Sequence, residues 1–136
     1  MTQENKKNIL LIEDDSAIID IYTTMIKKAD FKVEVITLGQ EAIKKIKSLK
    51  SIKEVPDIIL LDLILPDING VEVLKEIRKN NITKDGVVFI LTNQQNVEFR
   101  GLDNIKPDKF IIKANITPSQ LLETIKEYLG QKGLKF

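Results

Sequence analysis

Four short stretches of this sequence carry side chains suited to chemistry: Glu13-Asp14-Asp15, Asp62, Thr92-Asn93 and Lys113. Clustered carboxylates repel one another, and a hard divalent cation relieves that repulsion. Mg²⁺ takes one or two protein carboxylates, keeps several waters and accepts phosphate oxygens at its other positions. A lysine and a hydroxyl beside such a cation suit a phosphoryl group. An Asp carboxylate is a nucleophile able to accept that group as an aspartyl phosphate. Catalysis would then be positioning and charge neutralisation, which requires no imidazole.

The imidazole is indeed missing. The 136 residues contain no His and no Cys. That excludes Ser-His-Asp triads, His-ligated zinc, disulfide scaffolds, thiolate metal sites and cysteine catalysis. Lys plus Arg is 21 against 20 Asp plus Glu, a formal net charge of +1. Neither sign dominates, which argues against an electrostatic binder of nucleic acid or membrane. The sequence holds no apolar run long enough for a membrane span, and the polar start MTQENKKN lacks a signal peptide's apolar segment. The expectation is a cytoplasmic protein.

Each candidate also has a plain structural reading. The acids at 13–15 could simply cap a helix. Asp62 could form a turn before Pro66-Asp67-Ile68-Asn69-Gly70. It closes an apolar run, however, and burying a carboxylate there is costly unless it is paired or coordinated. Thr92 could bond only the backbone, and Lys113 could be solvated.

The elements that must position these residues alternate in type. Asn8–Ile12, Ile58–Leu61, Val87–Leu91 and Phe110–Ile112 are short continuous apolar runs, suited to strands buried on both faces. Phe31–Val35 alternates apolar with polar, as an edge strand does. Between them, Ile18 to Ala29, Ile43 to Leu49, Val71 to Ile77 and Leu121 to Leu129 carry stripes at helical spacing. The last helix has a start signal in Thr117, Pro118 and Gln120. Gln94–Ile105 is poorly patterned, interrupted by Gly101, and is expected to be a weak helix. Five β-α repeats imply a parallel sheet covered on both faces. Ligands of such sheets bind beyond the carboxyl ends of the strands, where all four stretches lie. The whole chain, 1–136 with a core of about 7–130, reads as one domain with no effector domain.

The segments ILLIEDDSAI, PDIILLDLILPDINGVEVL, VVFILTN and DKFIIK, in that order, resemble the receiver domain of two-component response regulators. The resemblance implies a flavodoxin-like (βα)5 three-layer fold with sheet order 2-1-3-4-5. It implies that Asp62 is the phosphoacceptor. Asp14 would ligate Mg²⁺ directly, Glu13 through water, and the backbone carbonyl of Ile64 would be a further ligand beside Asp62. Thr92 would be the hydroxyl that moves to the phosphoryl group, Lys113 the lysine that pairs with it, and Phe110 the aromatic switch. A sensor histidine kinase or histidine phosphotransfer protein would donate the phosphoryl group, and the output would be contact with a downstream protein.

Three positions depart from the family. Ala114 stands where a cis proline usually follows the lysine, so a trans peptide and a rebuilt loop are expected. Asn93 is larger and more polar than the usual residue after the threonine. Lys106-Pro107 replaces the usual Gly-Ala, affecting the approach to the fifth strand. The rival reading is a pseudo-receiver, a protein-binding module that takes no phosphate. A flavin mononucleotide protein is disfavoured because Glu13-Asp14-Asp15 would repel a phosphate. A phosphatase with an aspartyl intermediate is disfavoured because Ile64 stands where a second Asp is needed.

Overall fold

The computed structural model describes residues 6–94 and 105–133. Its strands are β1 (Asn8–Ile12), β2 (Lys32–Ile36), β3 (Ile58–Leu61), β4 (Val88–Thr92) and β5 (Lys109–Ile112). Its helices are α1 (Ser16–Lys28), α2 (Gly39–Ser48), α3 (Gly70–Lys79) and α4 (Pro118–Gly133). The strands form one parallel sheet in the order β2-β1-β3-β4-β5, as expected. The weak helix expected over Gln94–Ile105 falls on residues 95–104, which lie outside the described residues.

Successive side chains of a strand point to opposite faces, and here both faces are buried. Leu10 and Ile12 of β1, Ile59 and Leu61 of β3, and Val88 and Ile90 of β4 point one way. They pack with Ala42 and Ile46 of α2 and Val73, Leu74 and Ile77 of α3. Ile9, Leu11, Ile58, Leu60, Phe89 and Leu91 point the other way, against Tyr22 and Ile26 of α1 and Leu121 and Ile125 of α4. Each Val, Leu, Ile or Phe among them, taken from water, contributes about 1.5–3 kcal/mol. The alternating strand does lie at the edge: Lys32 and Glu34 of β2 are exposed, while Val33 and Val35 pack on the α1 side of the sheet.

Local signals set the helix starts. Thr117 and Gln120 form a reciprocal capping box, each backbone N–H donating to the other's side chain at 2.9 and 3.1 Å. Asn69 caps α3 by accepting the Val71 N–H at 2.9 Å. Asp15 caps α1 by accepting the Ile18 N–H at 3.1 Å.

At the amino ends of the strands, Arg78 gathers the approach to β5. Its Nε donates to the Lys106 carbonyl at 2.9 Å, and Nη1 to the carbonyls of Lys84 and Gly86 at 3.0 and 2.7 Å. Its Nη2 pairs with Asp108 at 3.0 Å. Asp108 also accepts the Val88 N–H and the Tyr128 hydroxyl, at 2.9 and 2.8 Å. Burial and the neighbouring Asp108 carboxylate push the Tyr128 phenol up to about 12. One planar guanidinium thus takes three carbonyls and a carboxylate at once.

Arg78→Ala should therefore lower unfolding stability by about 1.5–3 kcal/mol, the range for hydrogen bonds to a charged group. Arg78→Lys should recover less than half of that, because an ammonium lacks the fork geometry. Urea denaturation of the two variants checks both.

Candidate functional site

The sheet register brings the acids together. Leu61 of β3 lies beside Ile12 of β1, so the next residues, Asp62 and Glu13, emerge as neighbours. The ladders run one bond past the strands to hold both backbones. The Asp62 N–H donates to the Ile12 carbonyl and the Glu13 N–H to the Ile36 carbonyl, each at 3.0 Å. Gly70 closes the loop after β3 against this point. A Cβ there would lie 2.4 Å from the Asp62 carbonyl oxygen and 2.6 Å from the Leu63 Cα. Only glycine allows that backbone approach.

From the far side of the sheet comes Lys113. β4 and β5 pair with Thr92 beside Ile112, so Lys113 leaves β5 at the same rim. Its ammonium lies 2.8 Å from Glu13 Oε1 and 3.0 Å from Asp62 Oδ2. The three side chains are 11%, 2% and 5% exposed, so this is a buried triad rather than a surface pair. The remaining oxygens are also satisfied. Glu13 Oε2 accepts the N–H groups of Asp14 and Asp15 at 3.1 and 3.0 Å, and Asp62 Oδ1 accepts the Ile64 N–H at 3.1 Å.

Burial pushes the Glu13 carboxyl above its ordinary range, and the hydrogen bonds from Lys113 and the Asp15 backbone pull it only partly back. For Lys113 the balance runs the other way. Burial disfavours the ammonium, but the hydrogen bonds to Glu13 and Asp62 outweigh it and hold the group above its ordinary value. Burial also raises the phenol of Tyr22, which lies close enough to feel all three charges.

Asp14 completes the acid cluster from solvent. One carboxylate oxygen from each of Glu13, Asp14 and Asp62 lies within 4.8 Å of the others. Three carboxylates against one ammonium leave two negative charges on an all-oxygen donor set, which fits a hard divalent cation. The acidic triplet is therefore divided in its roles: Glu13 turns inward, Asp14 outward into the cluster, and Asp15 caps α1.

The other candidates are placed as follows. The Thr92 side chain is fully buried, and its hydroxyl accepts the Gln94 N–H at 3.2 Å, the plain role for a strand-end threonine. Phe110, on β5, is 37% exposed. Ile64 follows Asp62 by two residues; its side chain is exposed and its backbone bridges to Asn69. No peptide among the described residues is cis, so Ala114 joins Lys113 in trans, and Lys113–Asn115 forms a single 3-10 turn. The two departures at this rim meet: the Ala114 N–H donates to Asn93 Oδ1 at 2.9 Å. A proline at position 114 would have no such donor. Asp67 is a further polar residue that spacing did not single out. It reaches out of the loop after β3 to accept the N–H groups of Gly39 and Gln40 at 2.8 and 2.9 Å. No local pattern marks that contact, because its partners lie 28 and 27 residues away.

Removing the lysine from this triad strands two buried carboxylates. Lys113→Met should cost about 3 kcal/mol at neutral pH, the low end for breaking a buried pair. Glu13 already titrates above its ordinary range. The variant's deficit should therefore shrink as pH falls into the carboxylate range and the buried acid takes up a proton. Thermal melts of both proteins across pH 4–8 measure the difference.

Comparison with known proteins agrees with the fold. Residues 9–126 match the model of the response regulator receiver domain. Over 96 residues, or 69% of the chain, the sequence is 41% identical to the cell cycle response regulator CtrA of Brucella ovis. The matched region is 38% of that protein, so the chain spans well under half the length of these curated relatives. The CheY-like receiver domain of Methanospirillum hungatei JF-1 superposes with a TM-score of 0.78 at 29% identity, covering 93% of this chain and 96% of that one. The receiver domain of a sensor histidine kinase from Pseudomonas aeruginosa PAO1, crystallised with a magnesium ion in its active-site cleft, shares the fold. Its TM-score is 0.75 at 20% identity, with 92% and 98% coverage. With its sheet order, its acidic rim and a family match across most of its length, the chain belongs to the receiver domains of two-component response regulators.

Proposed function

We propose that this receiver takes a phosphoryl group onto Asp62 from a phosphohistidine of a sensor histidine kinase or phosphotransfer protein, with Mg²⁺ bound at the acidic rim. The observation that carries this reading is the buried Asp62 carboxylate, held 3.0 Å from the Lys113 ammonium and clustered with Glu13 and Asp14. A lone buried carboxylate would be protonated or replaced. This one has a partner at hydrogen-bond distance, a lysine whose other contact, Glu13, leaves it poised between two acids.

Asp14, Asp62 and the Ile64 backbone carbonyl would hold the cation, with Glu13 acting through water. When bound, the cation supplies a charge that offsets the negative phosphoryl oxygens and the carboxylate together. Asp62 attacks phosphorus through one carboxylate oxygen; the phosphorus–nitrogen bond breaks and the imidazole leaves. Lys113 exchanges a carboxylate contact for a phosphoryl oxygen, and Ile64 keeps its N–H on the Asp62 side chain. In the phosphorylated protein the Thr92 hydroxyl leaves the Gln94 N–H for the phosphoryl group. Phe110, two residues beyond Asp108 on β5, turns inward with it. The exposed face then changes, and a downstream protein reads the change. In this reading the protein works in the cytoplasm, as a switch whose only chemistry is on its own aspartate.

Intact-protein mass after incubation with acetyl phosphate, with and without Mg²⁺, tests the reading. One added phosphoryl group is expected with Mg²⁺, and none without it or in Asp62→Asn. If neither acetyl phosphate nor a phosphorylated histidine donor adds mass to the wild type, the protein is a binding module of this fold instead.

A further inference from the structure

The loop between β3 and α3, residues 63–69, carries Ile64 and borders Asp62 on its open side. It is pinned by three short-range links, one of them to the Asp62 side chain. The Ile64 N–H donates to Asp62 Oδ1 at 3.1 Å, Ile64 bridges to Asn69, and the Gly70 N–H donates to the Leu63 carbonyl at 2.8 Å. These links close the loop on itself. None of them holds it against the rest of the molecule.

Beside the apolar packing of Leu63, Leu65 and Ile68, a polar contact to the rest of the molecule comes from Asp67. Helix α2 begins after Leu38, whose side chain offers no cap, so the first N–H groups of α2 need an acceptor from elsewhere. The Asp67 carboxylate supplies it, one oxygen to Gly39 and the other to Gln40. A carboxylate at a helix amino end is doubly suited, by hydrogen bonding and by the helix dipole. The bond from Gln40, then that from Gly39, holds the Asp67 carboxyl below its ordinary range against the opposing effect of burial. The packing agrees. A Cβ on Gly39 would lie 2.3 Å from Ile68 Cγ1, so α2 starts in direct contact with the loop. Leu65 and Ile68 pack on the same core cluster as Ala42 and Ile46 of α2.

We propose that Asp67 is a positioning residue for the acidic rim: by clamping loop 63–69 to the start of α2, it sets the Ile64 carbonyl and the Asp62 carboxylate for the cation. The part concerning the cation rests on the function proposed above. Helix α2, which contributes no side chain to the rim, is then part of its scaffold. Outer partners that bond metal ligands directly are worth about 10–100-fold in metal affinity. Asp67 acts one step further away, so about 3- to 10-fold is expected.

The test uses the full ¹⁵N-labelled chain titrated with MgCl₂ and followed by amide chemical shifts. Asp67→Ala should weaken Mg²⁺ binding by that factor. Asp67→Asn, which keeps one acceptor oxygen and loses the charge, should fall between. Thr117→Ala is the control: it removes the cap of α4, so it loses comparable helix stability and should leave Mg²⁺ affinity unchanged. In the metal-free protein, hydrogen exchange at the Ile64 amide should quicken in both Asp67 variants and not in Thr117→Ala. Unchanged Mg²⁺ affinity in both Asp67 variants overturns the proposal, as does an equal loss in the control. Unchanged Ile64 exchange overturns it independently of the metal. A wild-type chain that binds no Mg²⁺ would instead sink the magnesium reading of the function, with the exchange arm still deciding the role of Asp67.

Discussion

The Lys113 ammonium, shared between Glu13 and Asp62, is the interaction on which the rest of the structure depends. Two carboxylates cannot be buried side by side without compensation, because each carries a large desolvation cost and each repels the other. The lysine must therefore arrive at hydrogen-bond distance, and it must arrive from 100 residues away. That requirement reaches back through the fold. It demands that β5 lie next to β4 in a register that delivers Lys113 to the rim, and that β1 and β3 be adjacent so that both acids face it. It also demands that the rim be dry enough for the pairing to be strong. Buried ion pairs rarely improve stability over a packed apolar core. Their presence here places an ionic cluster at the carboxyl ends of the strands, where ligands of such sheets bind.

The two ends of the sheet are built on different principles. At the amino ends, Arg78 saturates carbonyls and a carboxylate in a closed network that leaves its partners satisfied. At the carboxyl ends, three acids meet one base and the charge is left unbalanced. The first arrangement is a fastening and gains nothing by moving. The second leaves an all-oxygen donor set with an excess of acid over base. Around it, the backbone is held tightly: ladder bonds extend beyond the strands to Glu13 and Asp62, and Gly70 admits a backbone contact that no side chain would permit. Precise placement matters because chemistry of this kind works by position and field rather than by proton shuttling.

Two of the departures from the family are answered locally. Ala114 restores a backbone donor at a position where proline would have none, and the enlarged Asn93 supplies its acceptor. The two unusual residues thus form one contact, between the loop after β4 and the turn after β5, and the acid, hydroxyl and lysine set stays complete. The exchange of Gly-Ala for Lys106-Pro107 lies at the other end, and no contact of its side chains among the described residues explains it.

What the sequence by itself determined was whatever depends on near neighbours along the chain. The run Ile58–Leu61 is apolar without a break, and burial on both faces of a central strand follows. Phe31–Val35 alternates, and β2 lies at the edge. Thr117 and Gln120 sit three apart and form their capping box. Strand ends are less legible. β2 and β4 begin and end one residue later than hydropathy suggests, at Lys32–Ile36 and Val88–Thr92, because ladder partners rather than side chains set the limits. The candidate site residues were legible as a set through their place at strand ends and the resemblance to receivers. Their division of labour was not. That Glu13, of the three acids, is the one that turns to Lys113 depends on where β5 lies. That Asp67 reaches α2, and that Asn93 meets Ala114, depends on loops brought together by the sheet. Periodicity and capping are short-range effects written in consecutive residues. Pairing across 21 to 100 residues depends on register and packing, and only the tertiary structure decides it.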